Sequence, residues 1–181
     1  MAMIGTAVDV VAAHGMLHRY IPRVVHRRVT LVVAGAESWS YFHRLACSNM
    51  TPYLERRGQH WNATAWERQA SSRDFLLVLL DDTRVGFASI YDDPDNQALH
   101  LGDLQLEPEA RGRGVGGTCL ELIADIARDR SCHGVKLHVF RDNPARRLYE
   151  RHGFRTIDRG FDKLTLWRAV ARPLTQEGHP A

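Results

Sequence analysis

With 181 residues, 44% of them hydrophobic and 25% charged, the chain has ordinary globular composition and length enough for one domain with a real core, which excludes a disordered or fibrous protein. The net charge of +3 is spread among interleaved acids, and the nearest basic run, HRRV at 26–29, is too short for a nucleic-acid reader, so no nucleic-acid partner is expected. Cys47, Cys119 and Cys132 form an odd set without C-x-x-C spacing, which argues against a disulfide framework and a zinc site and fits a reducing cytoplasm.

The first stretch carries Asp9 inside its apolar run and leads into His14, His18 and Arg19, so it reads as neither a signal peptide nor a membrane span. Residues 1–27 are assigned as an N-terminal extension, 28–170 as the domain and 171–181 as a loose tail. From Arg28, RVTLVVAG is apolar and β-branched and predicts a first strand. Residues 38–70 place Trp39, Phe42, Leu45 and Ala46 on one helical stripe, followed by Tyr53, Leu54, Trp61 and Trp66. Interruptions at Pro52 and Gly58 predict two or three short helices.

DFLLVLL (74–80), RVGFASIY (84–91) and ALHLGDLQL (98–106), separated by polar turns, predict an antiparallel meander. A glycine-rich loop then opens a helix through Arg130. The strand GVKLHVF (134–140), a helix over NPARRLYERHG and a closing hairpin of FRTIDRG with DKLTLWRAV follow. The sum is an α/β (α+β) fold, a mixed and mostly antiparallel sheet of six to seven strands with helices on both faces.

Within ALHLGDLQL, Leu99 and Leu101 are odd-numbered whereas Leu104 and Leu106 are even. One extra residue near Gly102 restores a single core face, which predicts a β-bulge and puts His100, Asp103 and Gln105 together on the other face.

The loop EPEARGRGVGG contains two overlapping glycine fingerprints. Gly112, Gly114 and Gly117 spell G-x-G-x-x-G, but a dinucleotide site wants the first glycine at the end of the first strand of a βαβ unit and an acid about 20 positions on. Here antiparallel hairpins precede it. A Walker-type loop would need a lysine before Thr118, and Gly117 stands there. What remains is R-x-x-G-x-G over Arg111 to Gly116, a wide turn whose backbone N–H groups, ahead of a helix N-terminus, suit a diphosphate without a metal. Gly114 and Gly116 allow close backbone approach, and Arg111 and Arg113 add charge.

LGDLQLEPEARGRGVGGTCLELI followed by LHVFRDNPARRLYERHGF resembles two successive motifs of the GNAT superfamily of coenzyme A-dependent N-acyltransferases, and the likeness spans about 28–170. It implies a splayed, bulged fourth strand beside the family's fifth, with the pantetheine arm of acetyl-coenzyme A between them. It further implies cofactor contacts from Leu104, Gln105, Leu106, Arg111, Gly112, Arg113, Gly114, Val115, Gly116, Gly117, Asn143 and Tyr149. Asn143 also reads as an ordinary helix cap before Pro144.

The implied activity is acetyl transfer to a primary amine of a small molecule, peptide or protein by direct attack in a ternary complex. Tyr149 matches the tyrosine that protonates the departing thiolate; by spacing alone it also reads as an aromatic on the core stripe beside Leu148. His100 and His138 stand at strand positions where members of the family carry the base, and Asp103 could continue a water relay. The aromatic residues at 38–70 read either as core or as lining for the acceptor. No metal and no membrane partner are expected, and the resemblance brings a homodimer among the expected assemblies. A coenzyme A-binding sensor without turnover is the alternative of a different class.

Overall fold

The computed structural model describes residues 24–26 and 28–170; the readings made for 1–23 and for the tail at 171–181 lie outside them. Eight strands form one sheet in the order β1-β2-β3-β4-β5-β6-β8-β7, with β1 Val24–His26, β2 Val29–Val33, β3 Asp74–Leu80, β4 Thr83–Asp93, β5 Ala98–Leu106, β6 Gly134–Phe140, β7 Arg155–Arg159 and β8 Lys163–Ala169. Every pairing is antiparallel except β5 with β6, which run parallel and are joined by a helical crossover. The three-residue β1 is an edge strand on β2, so the sheet begins before the boundary at residue 28.

The apolar face of the sheet that carries Leu31, Leu76, Val78, Ile90, Leu99, Leu101, Val135 and Leu137 packs against helix α3, Val115–Asp129, which buries Cys119, Leu120, Leu122, Ile123 and Ile126 toward it. Helix α4, Ala145–Arg151, lies on the same side: an added Cβ on Gly116 would stand 3.0 Å from Leu148, and one on Gly117 2.5 Å from His152 Nε2. The opposite face carries α1, Trp39–Glu55, and α2, Ala63–Ala70. Its core is aromatic, with Phe42 stacked 5.1 Å from Phe75 and 4.8 Å from Phe87, and Trp39 5.2 Å from Trp66.

Pro52 does not end α1 as the sequence suggested. It lies in the last turn, where a missing N–H removes a single ladder bond, and Thr51 Oγ1 donates to the Cys47 carbonyl at 2.7 Å beside it. Tyr53 then seats its ring on Phe140 at 6.0 Å, which ties that turn to β6. The break at Gly58 is real: the residue adopts φ +64 beyond the helix end.

The bulge falls where strand parity placed it. Ser89 pairs with Asp103 and Ile90 with Leu101, so Gly102 is the extra residue of β5. A Cβ there would stand 2.7 Å from Arg73 Nη1 and 2.8 Å from Ser89 Oγ, which is why the position is glycine. Pairing of β5 with β6 stops at Leu101 and Leu137, and beyond that point the two strands part.

Two variants test this register. Gly102→Ala should lower the stability read from denaturant unfolding by about 1–3 kcal/mol through overpacking. Deleting Gly102 should abolish cooperative unfolding, because a one-residue slip sends Leu104 and Leu106 to the wrong face. A deletion variant as stable as the parent would mean that the bulge is not needed.

Candidate active site

The wedge where β5 leaves β6 is walled by 103–106 on one side and 138–140 on the other. Glu107 N–H donates to Val85 C=O at 2.9 Å. By the alternation of an antiparallel ladder, the backbone groups of Leu104 and Leu106 therefore point away from β4, into the wedge. Their side chains pack on the core, so what they offer here is main chain alone.

At the end of β5, Pro108–Ala110 makes one 3₁₀ turn that takes up the Arg111 N–H on the Pro108 carbonyl at 3.2 Å. The anion nest therefore starts one residue later than the sequence implied. Gly112 and Gly114 sit at φ +71 and +81, which turns the chain into the N-terminus of α3. Among the described residues, the N–H groups of Gly112, Arg113 and Gly114 have no acceptor, and those of Val115, Gly116 and Gly117 belong to a first helical turn, where none exists. Thr118 N–H is the first to close the helix, on the Gly114 carbonyl. Six donors at the positive end of a helix make an anion cradle. Gly116 and Gly117 have a second reason to be glycine, the tight packing of α3 on α4.

Arg111 does not point into that cradle. Its Nε and Nη2 donate to the Leu106 carbonyl at 3.2 and 3.0 Å, and Nη2 also reaches Asn49 Oδ1 at 2.6 Å. Asn49 Nδ2 in turn donates to Gln105 Oε1 at 3.1 Å and to the Leu106 carbonyl at 3.3 Å. Arg113 stays exposed.

The sheet face opposite α3 brings together His100, Asp103, Gln105 and His138. His100 is buried, stacks on Tyr91 at 4.5 Å and has the ring of His138 5.0 Å away. Burial above all, then the charge of His138, Lys136 and Arg73, pushes His100 down to about 4, so it is neutral at physiological pH. His138 is the first β6 residue past the last β5 pair and is solvent-exposed. Its Nδ1 meets Thr165 Oγ1 at 3.2 Å, and partial desolvation of the ring, followed by Lys136 and Lys163, holds it below the ordinary histidine value, against the opposing charge of Asp158. Asp103 is engaged already: its carboxylate accepts from Ser89 Oγ at 2.7 Å and Arg73 Nη1 at 2.8 Å. Both bonds fall on Oδ2.

Tyr149 approaches from the α3 side, its ring 5.8 Å from Phe154. Burial, assisted by the negative charge of Asp103, pushes its phenol up to about 12. The phenol stays protonated throughout the physiological range. Asn143 Oδ1 accepts from Ala145 N–H at 2.9 Å and caps α4. Trp39, Phe42, Trp61 and Trp66 pack in the aromatic core of this face, and Tyr53, stacked on Phe140, stands beside the wedge.

Asn49, Arg73, Ser89 and Tyr91 escaped the sequence reading. Ser89 and Tyr91 follow from strand parity once the register with Asp103 and His100 is known. Asn49 and Arg73 arrive from α1 and from the connection into β3, with no local signal to mark them.

Residues 39–154 match the family model described as Acetyltransferase (GNAT) family. Streptothricin acetyltransferase of Streptomyces lavendulae is 37% identical over 86 residues, 47% of this chain and 46% of that protein. Thialysine N-epsilon-acetyltransferase of Sus scrofa is 32% identical over 69 residues, 38% of this chain and 41% of that one. The aligned segment thus spans about half the length of these curated relatives or less. Among solved structures, PaiA N-acetyltransferase of Thermoplasma acidophilum in complex with coenzyme A shares the fold with a TM-score of 0.62 at 18% identity, over 78% of this chain and 98% of that one. Spermidine N-acetyltransferase of Vibrio cholerae in complex with coenzyme A and spermine does so at 0.63 and 17%, over 78% and 95%. A family match across well over half of the residues, on a sheet opened by a bulge beside a glycine-lined helix N-terminus, places this chain in the acetyltransferase (GNAT) family.

Proposed function

We propose that the chain is an N-acetyltransferase that moves the acetyl group of acetyl-coenzyme A to a primary amine of a small molecule, peptide or protein in a ternary complex, in the cytoplasm. The observation that carries this reading is the wedge itself: main-chain groups of Leu104 and Leu106 that point away from β4, a nest of N–H groups at its end, and acid and base candidates on opposite sides. The names of the relatives, which include an N-epsilon-acetyltransferase, support nitrogen as the acceptor.

The nest from Gly112 to Gly117 suits the diphosphate, and the edge at Leu104 and Leu106 suits the amides of the pantetheine arm. Acetyl-coenzyme A supplies the activated acyl group as a thioester. The Leu106 N–H, aimed into the wedge, holds the carbonyl oxygen as negative charge develops on it. His138, neutral and solvent-connected, takes the proton of the attacking amine; buried His100 supports it from behind, and two imidazoles 5.0 Å apart do not readily hold two protons. Tyr149, neutral at physiological pH, gives its proton to the departing sulfur. Acid and base approach from opposite faces of the sheet, so neither quenches the other.

Tyr149→Phe should leave the dissociation constant for acetyl-coenzyme A within about twofold while lowering kcat by about 100-fold or more, the usual scale of general acid catalysis. Calorimetry with acetyl-coenzyme A alongside thiol release in the presence of an amine panel measures both. Unchanged kcat would remove Tyr149 from the mechanism, and a wild-type protein that binds acetyl-coenzyme A but acetylates no amine would favour the sensor alternative.

A second expectation concerns acid. His100 has a folded-state pKa below its unfolded value, so the native chain binds fewer protons and its stability, full above about pH 6.5, falls as pH drops toward 4. His100→Phe, which keeps the stack on Tyr91, should flatten the melting temperature across that window. An unaltered slope would mean that His100 does not titrate as a buried neutral imidazole.

A further inference from the structure

A row of polar residues crosses the sheet face opposite α3, from the wedge to the far edge. Thr165 stands on β8 between Leu164 and Leu166, which face the core, so its side chain is turned to the α1 side, where it is buried. It pairs directly with His138 on β6, and the two side chains meet there, Thr165 Oγ1 lying 3.2 Å from His138 Nδ1. On its other flank Thr165 pairs with Asp158 of β7. That pairing depends on a bulge in β7: Thr156 pairs with Leu166 and Asp158 with Thr165, so Ile157 is the extra residue and stands exposed. In an unbroken ladder Ile157 would stand opposite Thr165, and Asp158 would fall opposite Leu164 on the core face.

The two nitrogens of an imidazole point to opposite sides of its ring. With Nδ1 held on β8, Nε2 of His138 is turned toward the β5 side, where the wedge opens and the His100 ring lies 5.0 Å away. Neutral His138 can take a proton on Nε2 only if its own proton sits on Nδ1. A threonine hydroxyl can donate to Nδ1 or accept from it, and the charge beyond it sets the direction: with its O–H turned toward Asp158, Oγ1 is left to accept from Nδ1–H. Other titratable groups face His138 as well, namely Lys136 on its own strand, Lys163 on β8 and His100 on β5, and on the α1 side Arg57 lies over Phe140, paired to Asp142 and Asp162. Of these groups Asp158 is the one in register with Thr165.

We propose that Thr165, with Asp158 behind it, is a positioning residue that keeps the proton of neutral His138 on Nδ1 and so leaves Nε2 free to take the proton of the attacking amine. The inference rests on the reading of His138 as the base. No proton passes to Thr165 or Asp158. When Nε2 takes the amine proton, the imidazolium keeps Nδ1–H on Oγ1 with its charge facing Asp158, and the Nε2 proton leaves to solvent afterwards.

The experiment is nitrogen-15 NMR of the His138 imidazole in the full chain, assigned against His138→Gln, for the wild type, Thr165→Val, Thr165→Ser and Asp158→Asn. Valine keeps the buried β-branched shape, and the melting temperature checks that each variant folds. Neutral His138 should carry its proton on Nδ1 in the wild type and in Thr165→Ser, and mostly on Nε2 in Thr165→Val. Asp158→Asn should lower the pH midpoint of the His138 titration by about half a unit, the scale of one carboxylate acting through water-exposed surface. Thiol release from acetyl-coenzyme A with the amine panel should show kcat about tenfold lower in Thr165→Val and restored in Thr165→Ser, with KM for acetyl-coenzyme A unchanged. An Nε2–H tautomer in the wild type, or the same tautomer in the wild type and Thr165→Val, would overturn the proposal. Tautomers that respond as expected while His138→Gln releases thiol at the wild-type rate would instead remove His138 as the base, so the two failures are told apart.

Discussion

One extra residue in β5 is the constraint on which the rest of the site depends. Gly102 lets Leu99 and Leu101 before it, and Leu104 and Leu106 after it, face one core, and at the same position the parallel pairing with β6 ends. A strand that kept its ladder would leave no free main chain at Leu104 and Leu106, and no wedge. The bulge is held by chemistry as well as geometry: Asp103, the residue after it, is bound to Ser89 on the neighbouring strand and to Arg73 from the connection into β3, and an alanine at 102 would collide with both of those partners. Asp103 thereby serves as an anchor, with its charge already matched by a partly buried guanidinium.

The two faces of the sheet divide the proposed chemistry. On the α3 side the wedge meets an apolar core that keeps the Tyr149 phenol protonated, and on the α1 side it meets a histidine pair that burial and neighbouring cations keep neutral. Desolvation thus acts in opposite senses on phenol and imidazole and leaves both uncharged at the same pH, the starting condition for one to give a proton and the other to take one. No direct bond joins them, because the sheet lies between.

The glycines of the loop show how a single motif serves two masters. Gly112 and Gly114 are required by positive φ, which turns the chain and aims the N–H groups. Gly116 and Gly117 pack closely on α4 and its end, where a methyl group would stand 3.0 Å from Leu148 and 2.5 Å from His152 and make those side chains shift. The packing that seats α4 against α3 also sets where Tyr149 stands relative to the cradle. The shape of the cradle and the docking of α4 are thus tied together through four residues, and a substitution at Gly117 would press on His152, just past the end of the helix that carries Tyr149.

Much of this was legible in the chain itself. Strand parity placed the bulge near Gly102, apolar alternation placed β3 to β6 within a few residues, and glycine spacing marked the loop ahead of α3, because each of these signals is carried by neighbours in sequence; the role expected of Tyr149 came from the family resemblance alone. Pro52 misled because a proline costs a helix one ladder bond and a clash with the preceding turn, and α1 carries that cost with its apolar face buried and Tyr53 packed on Phe140. The rest is long-range. Asp103 reads as a free carboxylate until Arg73 is 2.8 Å away, and Arg111 reads as a phosphate ligand until Asn49 and the Leu106 carbonyl claim it. The order of residue types determined where the chain turns, which faces are apolar and where an anion can sit. Only the tertiary structure decided which polar groups are already satisfied, since a hydrogen bond between residues 62 positions apart leaves no trace in either one's local sequence.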